Sequence, residues 1–252
     1  MKRITYLIVS LSLILLFGDI HAQEKKPLPT KEEIIAAGQI KDVFDKKFRF
    51  GLSYHFNWGT IKGDDLPNRY FTKPCIGFNF RAEYYPVPFA AIGLGIGYQQ
   101  RGTGIRNPDT YGGSFAHPWV KPNLVETDST YAQKLRFNTI EFPLTLLLRT
   151  PKEVFKGVRL SAAAGVILIH NFRVNDIWMD VVGGFHLERP ATSEYLRDDI
   201  GYQLSFGPDI NAGHANVFQV HFVYTKGTKN IYAAGQGDGR QMTMGVRVAW
   251  LF

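Results

Sequence analysis

Six charged residues stand at alternate positions of otherwise apolar segments, where their side chains would share one face. They are Arg49, Arg81, Glu83, Glu141, Arg159 and Arg247. An isolated buried charge costs several kcal/mol, so guanidinium and carboxylate groups enclosed together are expected to pair. We predict a network of ion pairs and hydrogen bonds that fills an interior. A conduit for anions and a proton-sensitive gate are the alternatives.

The residue types of catalytic and metal sites are dispersed along the chain. His55, His170, His186, His214 and His221 show no paired spacing with a serine. One cysteine, Cys75, and scattered histidines do not form a metal-ligand cluster. The sequence therefore predicts no enzyme, no metal site and no cofactor, with structural roles for any histidine that is enclosed.

The elements that carry these charges alternate with a period of two. Residues 48–59 place Phe, Leu, Tyr and Trp at even positions and small, polar or charged residues at odd positions. Such an alternation is longer than the about 5–6 residues of a common strand. It matches the roughly 9–11 tilted residues with which a strand crosses a bilayer.

Seven further segments repeat this pattern, so that eight strands are predicted. They lie near 76–85, 90–99, 139–149, 159–168, 200–210, 218–225 and 241–252. The predicted connections alternate between short (86–88, 150–157, 212–217) and long (62–75, 102–134, 172–199, 226–240). Short turns on one side and long loops on the other are typical of outer-membrane barrels. We predict an all-β fold, an eight-stranded antiparallel transmembrane up-and-down β-barrel.

The distribution of charge decides which face is predicted to point outward. In a soluble barrel of this size the apolar side chains would fill the interior. Here the apolar face carries too many large rings for a narrow lumen, and the other face carries the charges and glycines. Lipid outside and a small polar interior suit both faces.

The N-terminal region differs from the barrel segments. Residues 1–22 have a basic start and an apolar run from Ile4 to Phe17, the pattern of a cleaved secretory signal peptide. Residues 23–47 are predicted to form a periplasmic tail or short helix, a tether or a partner-binding segment. Residues 48–252 form the barrel. The predicted location is the cell outer membrane.

Two further features bear on partners. The formal net charge is +7, but the basic residues are spread out, which argues against a nucleic-acid partner. The long predicted loops hold aromatic residues that either contact a partner or pack over the barrel mouth: Tyr111, Phe115, Trp119 and Trp178.

Three motifs resemble the Bacteroidetes outer-membrane β-barrel family, the porin-family or PorT-like proteins. They are the opening strand at 48–53, the segment Ile140-Glu141-Phe142-Pro143-Leu144, and the aromatic C-terminal residue Phe252. The resemblance covers roughly residues 48–252. It implies recognition of Phe252 by barrel-assembly machinery, and the family includes proteins tied to a secretion apparatus.

These features together predict a non-enzymatic outer-membrane barrel that serves as a structural or docking component of an envelope or secretion complex. Its other expected partners are outer-membrane lipid and lipopolysaccharide. A narrow solute channel and a lipid-modifying outer-membrane enzyme are the alternatives.

Overall fold

The computed structural model describes residues 44, 46–63, 70–106, 131–180, 186–213, 216–231 and 239–252. The predicted signal peptide, residues 23–43 of the predicted tail, and the aromatic residues Tyr111, Phe115 and Trp119 lie outside these ranges. No helix among the described residues is long and apolar enough to cross a membrane.

The described part of the chain is a nine-stranded sheet in which eight strands close into a barrel. The strands are β1 (Phe48–Lys62), β2 (Tyr70–Val87), β3 (Ala90–Arg106), β4 (Tyr131–Arg149), β5 (Val158–Asp180), β6 (His186–Pro190), β7 (Asp198–Gly213), β8 (Asn216–Gly227) and β9 (Arg240–Leu251). A 3-10 helix, Thr192–Glu194, follows β6.

Every barrel strand pairs antiparallel with its neighbours, and β1 pairs with β9 to close the wall. Phe252 completes this seam, because its backbone N–H donates to the Phe50 carbonyl at 2.8 Å and its own carbonyl accepts from Phe50 at 3.1 Å. The predicted eight-stranded up-and-down barrel is confirmed.

The start of β1, the end of β9 and the tight connections share one end of the barrel, which we call the turn end. These connections follow β2, β4 and β7, and the opposite end is the loop end. Burial alternates residue by residue, as in β1, where each outward position is exposed and each inward position is buried up to Gly59. The period of two thus decides which side chains point into the lumen and which point outward.

The region 172–199 does not form the long loop that the sequence predicts. β5 continues to Asp180, and its last part pairs with β6, with Trp178 opposite Leu187. Trp178 is therefore a strand residue rather than a loop residue. The ladder between β5 and β7 stops at His170, which is opposite the start of β7 at Asp198. Further along β5 the pairing with β6 supplies backbone hydrogen-bond partners, so the strand extends past the barrel wall.

Candidate functional site

The lumen holds a continuous hydrogen-bonded chain of side chains in its turn-end half, which we call the lumen network. Arg81 donates to Glu83 at 2.9 Å, and the Tyr85 hydroxyl donates to the other carboxylate oxygen of Glu83 at 2.7 Å. Arg149 in turn donates to the Tyr85 hydroxyl. Arg81, Glu83 and Tyr85 stand at alternate positions of β2, so their side chains follow one another along its inward face.

Asp209 of β7 is the centre of the lumen network. Its Oδ2 accepts from Arg149 Nε at 2.7 Å and Nη2 at 2.6 Å, while its Oδ1 accepts from the Ser161 hydroxyl at 2.8 Å. The side chains of Arg149 and Asp209 are fully buried. A buried ion pair of this kind is favourable only when further hydrogen bonds support it, and Ser161 and Tyr85 provide two of them.

Ser161, His221 and Asp209 meet in the lumen but are not arranged as a catalytic triad. His221 Nε2 lies 2.9 Å from Ser161 Oγ and 3.0 Å from Asp209 Oδ1, so the same nitrogen contacts both groups. Arg247 donates to Nδ1 at 2.8 Å, which fixes the proton on Nε2. His221 therefore cannot accept a proton from the serine, and the geometry provides no activated nucleophile.

The loop-end half of the lumen contains a second ion pair. Arg101 Nε donates to Glu141 Oε1 at 2.6 Å, and the Thr139 hydroxyl lies 3.3 Å from the same oxygen and 2.9 Å from the Gln99 carbonyl. Arg101 on β3 and Glu141 on β4 are both buried. The pair joins two neighbouring strands across the inner wall.

Phe44 closes the turn end of the lumen. Its ring is fully buried with Val217 and Leu251. Three guanidinium groups surround the ring, with their Cζ atoms at 4.5, 5.1 and 5.8 Å from its centroid, and these belong to Arg159, Arg149 and Arg49. Cations over an aromatic face gain electrostatic attraction, more so where water is excluded.

An apolar cluster closes the loop end. Its buried members come from the wall strands and from the segments after β6 and β8: Ile61, Leu135, Phe137, Val174, Ala191, Tyr195 and Ile231. Tyr195 packs edge-on against Phe137 with ring centroids 5.4 Å apart. A hydrogen bond of 2.7 Å from Leu196 N–H to the Ile231 carbonyl joins the two covering segments. We call this cluster the loop-end cap.

Glycines on the inward face of β3 make room for these side chains. A Cβ built on Gly97 would lie 2.3 Å from the Phe78 carbonyl oxygen, and one on Gly95 would lie 2.7 Å from Asn79 Oδ1. Neither distance is sterically allowed. At Gly95 the Asn79 side chain therefore occupies the space that a side chain on β3 would otherwise fill, whereas at Gly97 the backbone of β2 itself lies too close for one.

The structure places all six charged residues of the predicted network inside the barrel, each less than a tenth exposed. It brings Arg81 together with Glu83, and Glu141 with Arg101 rather than with one of the predicted arginines. Arg247 contacts His221. Arg49 and Arg159 stack around Phe44 at the turn end.

The predicted set lacks several partners, among them the charged residues Arg101, Arg149 and Asp209 and the aromatic ring of Phe44. Arg149 and Asp209 do stand at inward positions of predicted strands, but the sequence does not show that β4 and β7 present them to the same point. Arg101 lies beyond the predicted end of β3. The period of two that runs from Gln99 through Arg101 to Thr103 is the signal that could have found it.

The outer wall has the opposite composition. Large apolar side chains point away from the lumen on every barrel strand, and many are about half exposed, for example Leu52, Phe78, Leu94, Leu146 and Leu204. A wall this apolar cannot face water, whereas the buried side carries the charges. This is the arrangement of a membrane-spanning β-barrel, in which lipid contacts the outer face.

Among the described residues no group of three or more histidine, cysteine or acidic side chains is placed to hold a metal ion. The one cysteine, Cys75, is a buried free thiol on β2.

Comparison with solved structures finds bacterial barrels at low identity. The chain is similar to Ail, the attachment invasion locus protein of Yersinia pestis, with 12% identity and a TM-score of 0.38 over 82% of this chain and 100% of Ail. It is similar to neisserial surface protein A, with 10% identity and a TM-score of 0.41 over 79% of this chain and 95% of the other. It is also similar to the outer membrane protein OprG of Pseudomonas aeruginosa, with 12% identity and a TM-score of 0.41 over 84% of this chain and 99% of OprG.

No family model matches the sequence, and no curated protein matches it either. Because the identities and TM-scores of the solved structures are low, neither fold nor function is inferred from those likenesses.

Proposed function

We propose that this chain is a non-conducting, non-enzymatic outer-membrane barrel that serves as a docking or structural component of an envelope complex. The observation that carries the proposal is the filling of the lumen. Among the described residues, buried ion pairs occupy both halves of the interior, Phe44 lies in the turn-end mouth, and the loop-end cap lies in the other.

The filled interior favours a docking role over a solute channel. An eight-stranded barrel encloses only enough space for side chains, so a continuous water path would need these groups to move apart. Separating the buried pair Arg149–Asp209 would leave two uncompensated charges, which is strongly unfavourable. The surfaces that remain for function are the outer wall, the loops and the N-terminal segment.

We place the turn end in the periplasm, because short turns on that side and longer connections outside are typical of outer-membrane barrels. Export through a cleaved signal peptide within residues 1–22 belongs to this proposal. Under this proposal the segment 23–43, which precedes Phe44 in the chain, belongs to the periplasm and serves as a tether or a binding segment.

The finer part of the proposal, a PorT-like protein of Bacteroidetes, is supported by the three motifs that resemble that family. Under this proposal Phe252, which completes the β1–β9 seam, is the residue that assembly machinery recognises. Envelope or secretion proteins would dock on the tail or on the loop that carries Tyr111, Phe115 and Trp119. Lipid and lipopolysaccharide would contact the outer wall.

Crosslinking in intact envelopes followed by affinity purification tests this role. We expect the full chain to recover a partner protein in fixed stoichiometry. A variant that lacks residues 24–43 should lose it if the tail is the docking surface. A variant with Tyr111, Phe115 and Trp119 changed to Ser should lose it if the loop is.

Both variants must still show the heat-dependent gel shift of a folded barrel. Recovery of no stoichiometric partner by the full chain, or of the same partner by both variants, would overturn the docking role.

A further inference from the structure

A groove of about 450 Å³ lies on the outer wall at the point where the ladder between β5 and β7 ends. The last pair of that ladder is His170 and Asp198, and beyond it β5 pairs with β6 instead. The apolar residues Phe142, Leu168, Ile169 and Ile200 line one part of the groove, and His170, Asp198, Asp199 and Lys229 line the other.

The apolar part continues the lipid-facing surface. Phe142, Leu168 and Ile200 stand at outward positions of three adjacent strands and are each about half exposed. An acyl chain lying in the groove would contact all three of these side chains at once.

The polar part is held in place by bonds within the protein. Asp198 Oδ1 lies 2.7 Å from His170 Nδ1, which orients the imidazole ring. Lys229 Nζ donates to the Asp198 carbonyl at 3.2 Å, and the Lys229 backbone N–H donates to Asp199 at 2.9 Å. These bonds keep the ammonium group at the loop-end side of the apolar surface.

The charges around the groove favour an anion. The exposed residue Arg197 precedes Asp198 in the chain, and Lys226 stands on the neighbouring strand β8, so that together with Lys229 three basic groups adjoin the polar part. The acidic groups there are Asp198, which faces His170, and Asp199, which is buried and accepts backbone N–H groups of Thr228 and Lys229. Basic groups therefore exceed acidic ones.

We infer that this groove binds one phosphate-bearing lipid, with an acyl chain along Phe142, Leu168 and Ile200 and the phosphate against Lys229 and Arg197. Lysine and arginine are the residues that proteins use to bind phosphate, through charge-assisted hydrogen bonds. A free anion would gain nothing from the apolar part, and an uncharged lipid would gain nothing from the basic part. The inference rests on the proposed membrane location of the barrel.

Native mass spectrometry of the full chain in detergent micelles tests the site. The probes are dioleoyl phosphatidic acid and dioleoylglycerol, which share their chains and differ in the phosphate. We expect one phosphatidic acid to remain bound, with dioleoylglycerol retained about tenfold less, a difference of about 1.4 kcal/mol. Equal retention of the two lipids would overturn the inference, as would binding of inorganic phosphate alone as strongly as phosphatidic acid.

Two variants locate the binding. The double variant Lys229→Gln with Arg197→Gln should lower phosphatidic acid retention about tenfold, since it removes the phosphate contacts. Ile200→Trp should lower retention while keeping every charge, because the indole fills the groove. The matched control Lys152→Gln with Lys156→Gln, in the turn-end connection between β4 and β5, should bind as the unmodified chain does.

Equal losses in the control and in the groove variants would show that the lipid binds any basic surface, and would overturn the site. The heat-dependent gel shift checks that each variant is folded. A barrel that conducts ions but still retains the lipid would contradict the proposed function and leave this site standing.

Discussion

The inner and outer faces of the same eight strands stabilise the barrel in different ways. On the outer face each apolar side chain contacts the surrounding lipid, and its contribution depends mainly on its own chemistry and depth. On the inner face each charged group depends on a partner from another strand, as Asp209 on β7 depends on Arg149 on β4. The effects of inward substitutions on the free energy of unfolding should therefore be non-additive, whereas those of outward substitutions should add independently.

The largest effect is expected where that dependence is strongest. Asp209→Asn removes the negative charge from a fully buried pair and leaves Arg149 uncompensated. We expect the free energy of unfolding to fall by about 3–5 kcal/mol, the usual result of removing one partner of a buried ion pair. Urea unfolding in lipid vesicles, followed by tryptophan fluorescence, measures it.

The double variant Asp209→Leu with Arg149→Met is the control for this prediction. It should recover most of the lost stability, because neither charge is then left without a partner. Additive losses from the two single changes would contradict the interdependence of the inner face.

The outer face should respond to charge according to depth. Leu94→Arg, in the middle of the outward row of β3, should lower the free energy of unfolding by about 2–4 kcal/mol. Trp58→Arg, close to the loop end of β1, should lower the free energy of unfolding by clearly less, because a charge is better tolerated near the membrane interface. Equal losses at both positions in the same unfolding assay would argue against a membrane-spanning wall.

The glycines on the inward face of β3 lie in close contact with the neighbouring strands. Gly97→Val places atoms where the Phe78 carbonyl already lies, so the β2–β3 ladder must shift. Overpacking of this kind costs about 1–3 kcal/mol. Gly157→Ala, in a turn with no backbone group close to its built Cβ, tests strain at a positive φ without lumen crowding. An unchanged stability of Gly97→Val would show that the β2–β3 ladder shifts without cost and would contradict the close packing at this position.

The smallest effect is expected for an exposed polar contact. Asp198→Asn removes the negative charge that faces His170, and the two side chains are 74% and 45% exposed. The free energy of unfolding should change by less than about 1 kcal/mol, as for most surface ion pairs. A loss as large as that of Asp209→Asn would remove the distinction between the enclosed and exposed pairs.

The sequence predicted the side on which most residues lie but not which residues meet. A strict period of two places Arg81, Glu83 and Arg247 in the lumen, because side chains on a strand alternate between its faces. Pairing depends on register and on strands distant in the chain, as for Arg149 and Asp209, so spacing alone could not reveal it.

Two local features also escaped prediction for physical reasons. Phe44 stands outside the alternating segments, and its place among arginines results from tertiary packing. The extension of β5 to Asp180 depends on pairing with β6, whereas the sequence pattern of residues 172–199 predicts a loop there.

Ion conductance across planar bilayers tests most directly whether the lumen is filled as described. The full chain, reconstituted and shown to be folded by its heat-dependent gel shift, should produce no regular current steps. The reason is that, among the described residues, buried ion pairs occupy both halves of the lumen, with Phe44 at one end and the loop-end cap at the other. Steady, ohmic single-channel steps would contradict this account and favour the solute-channel alternative.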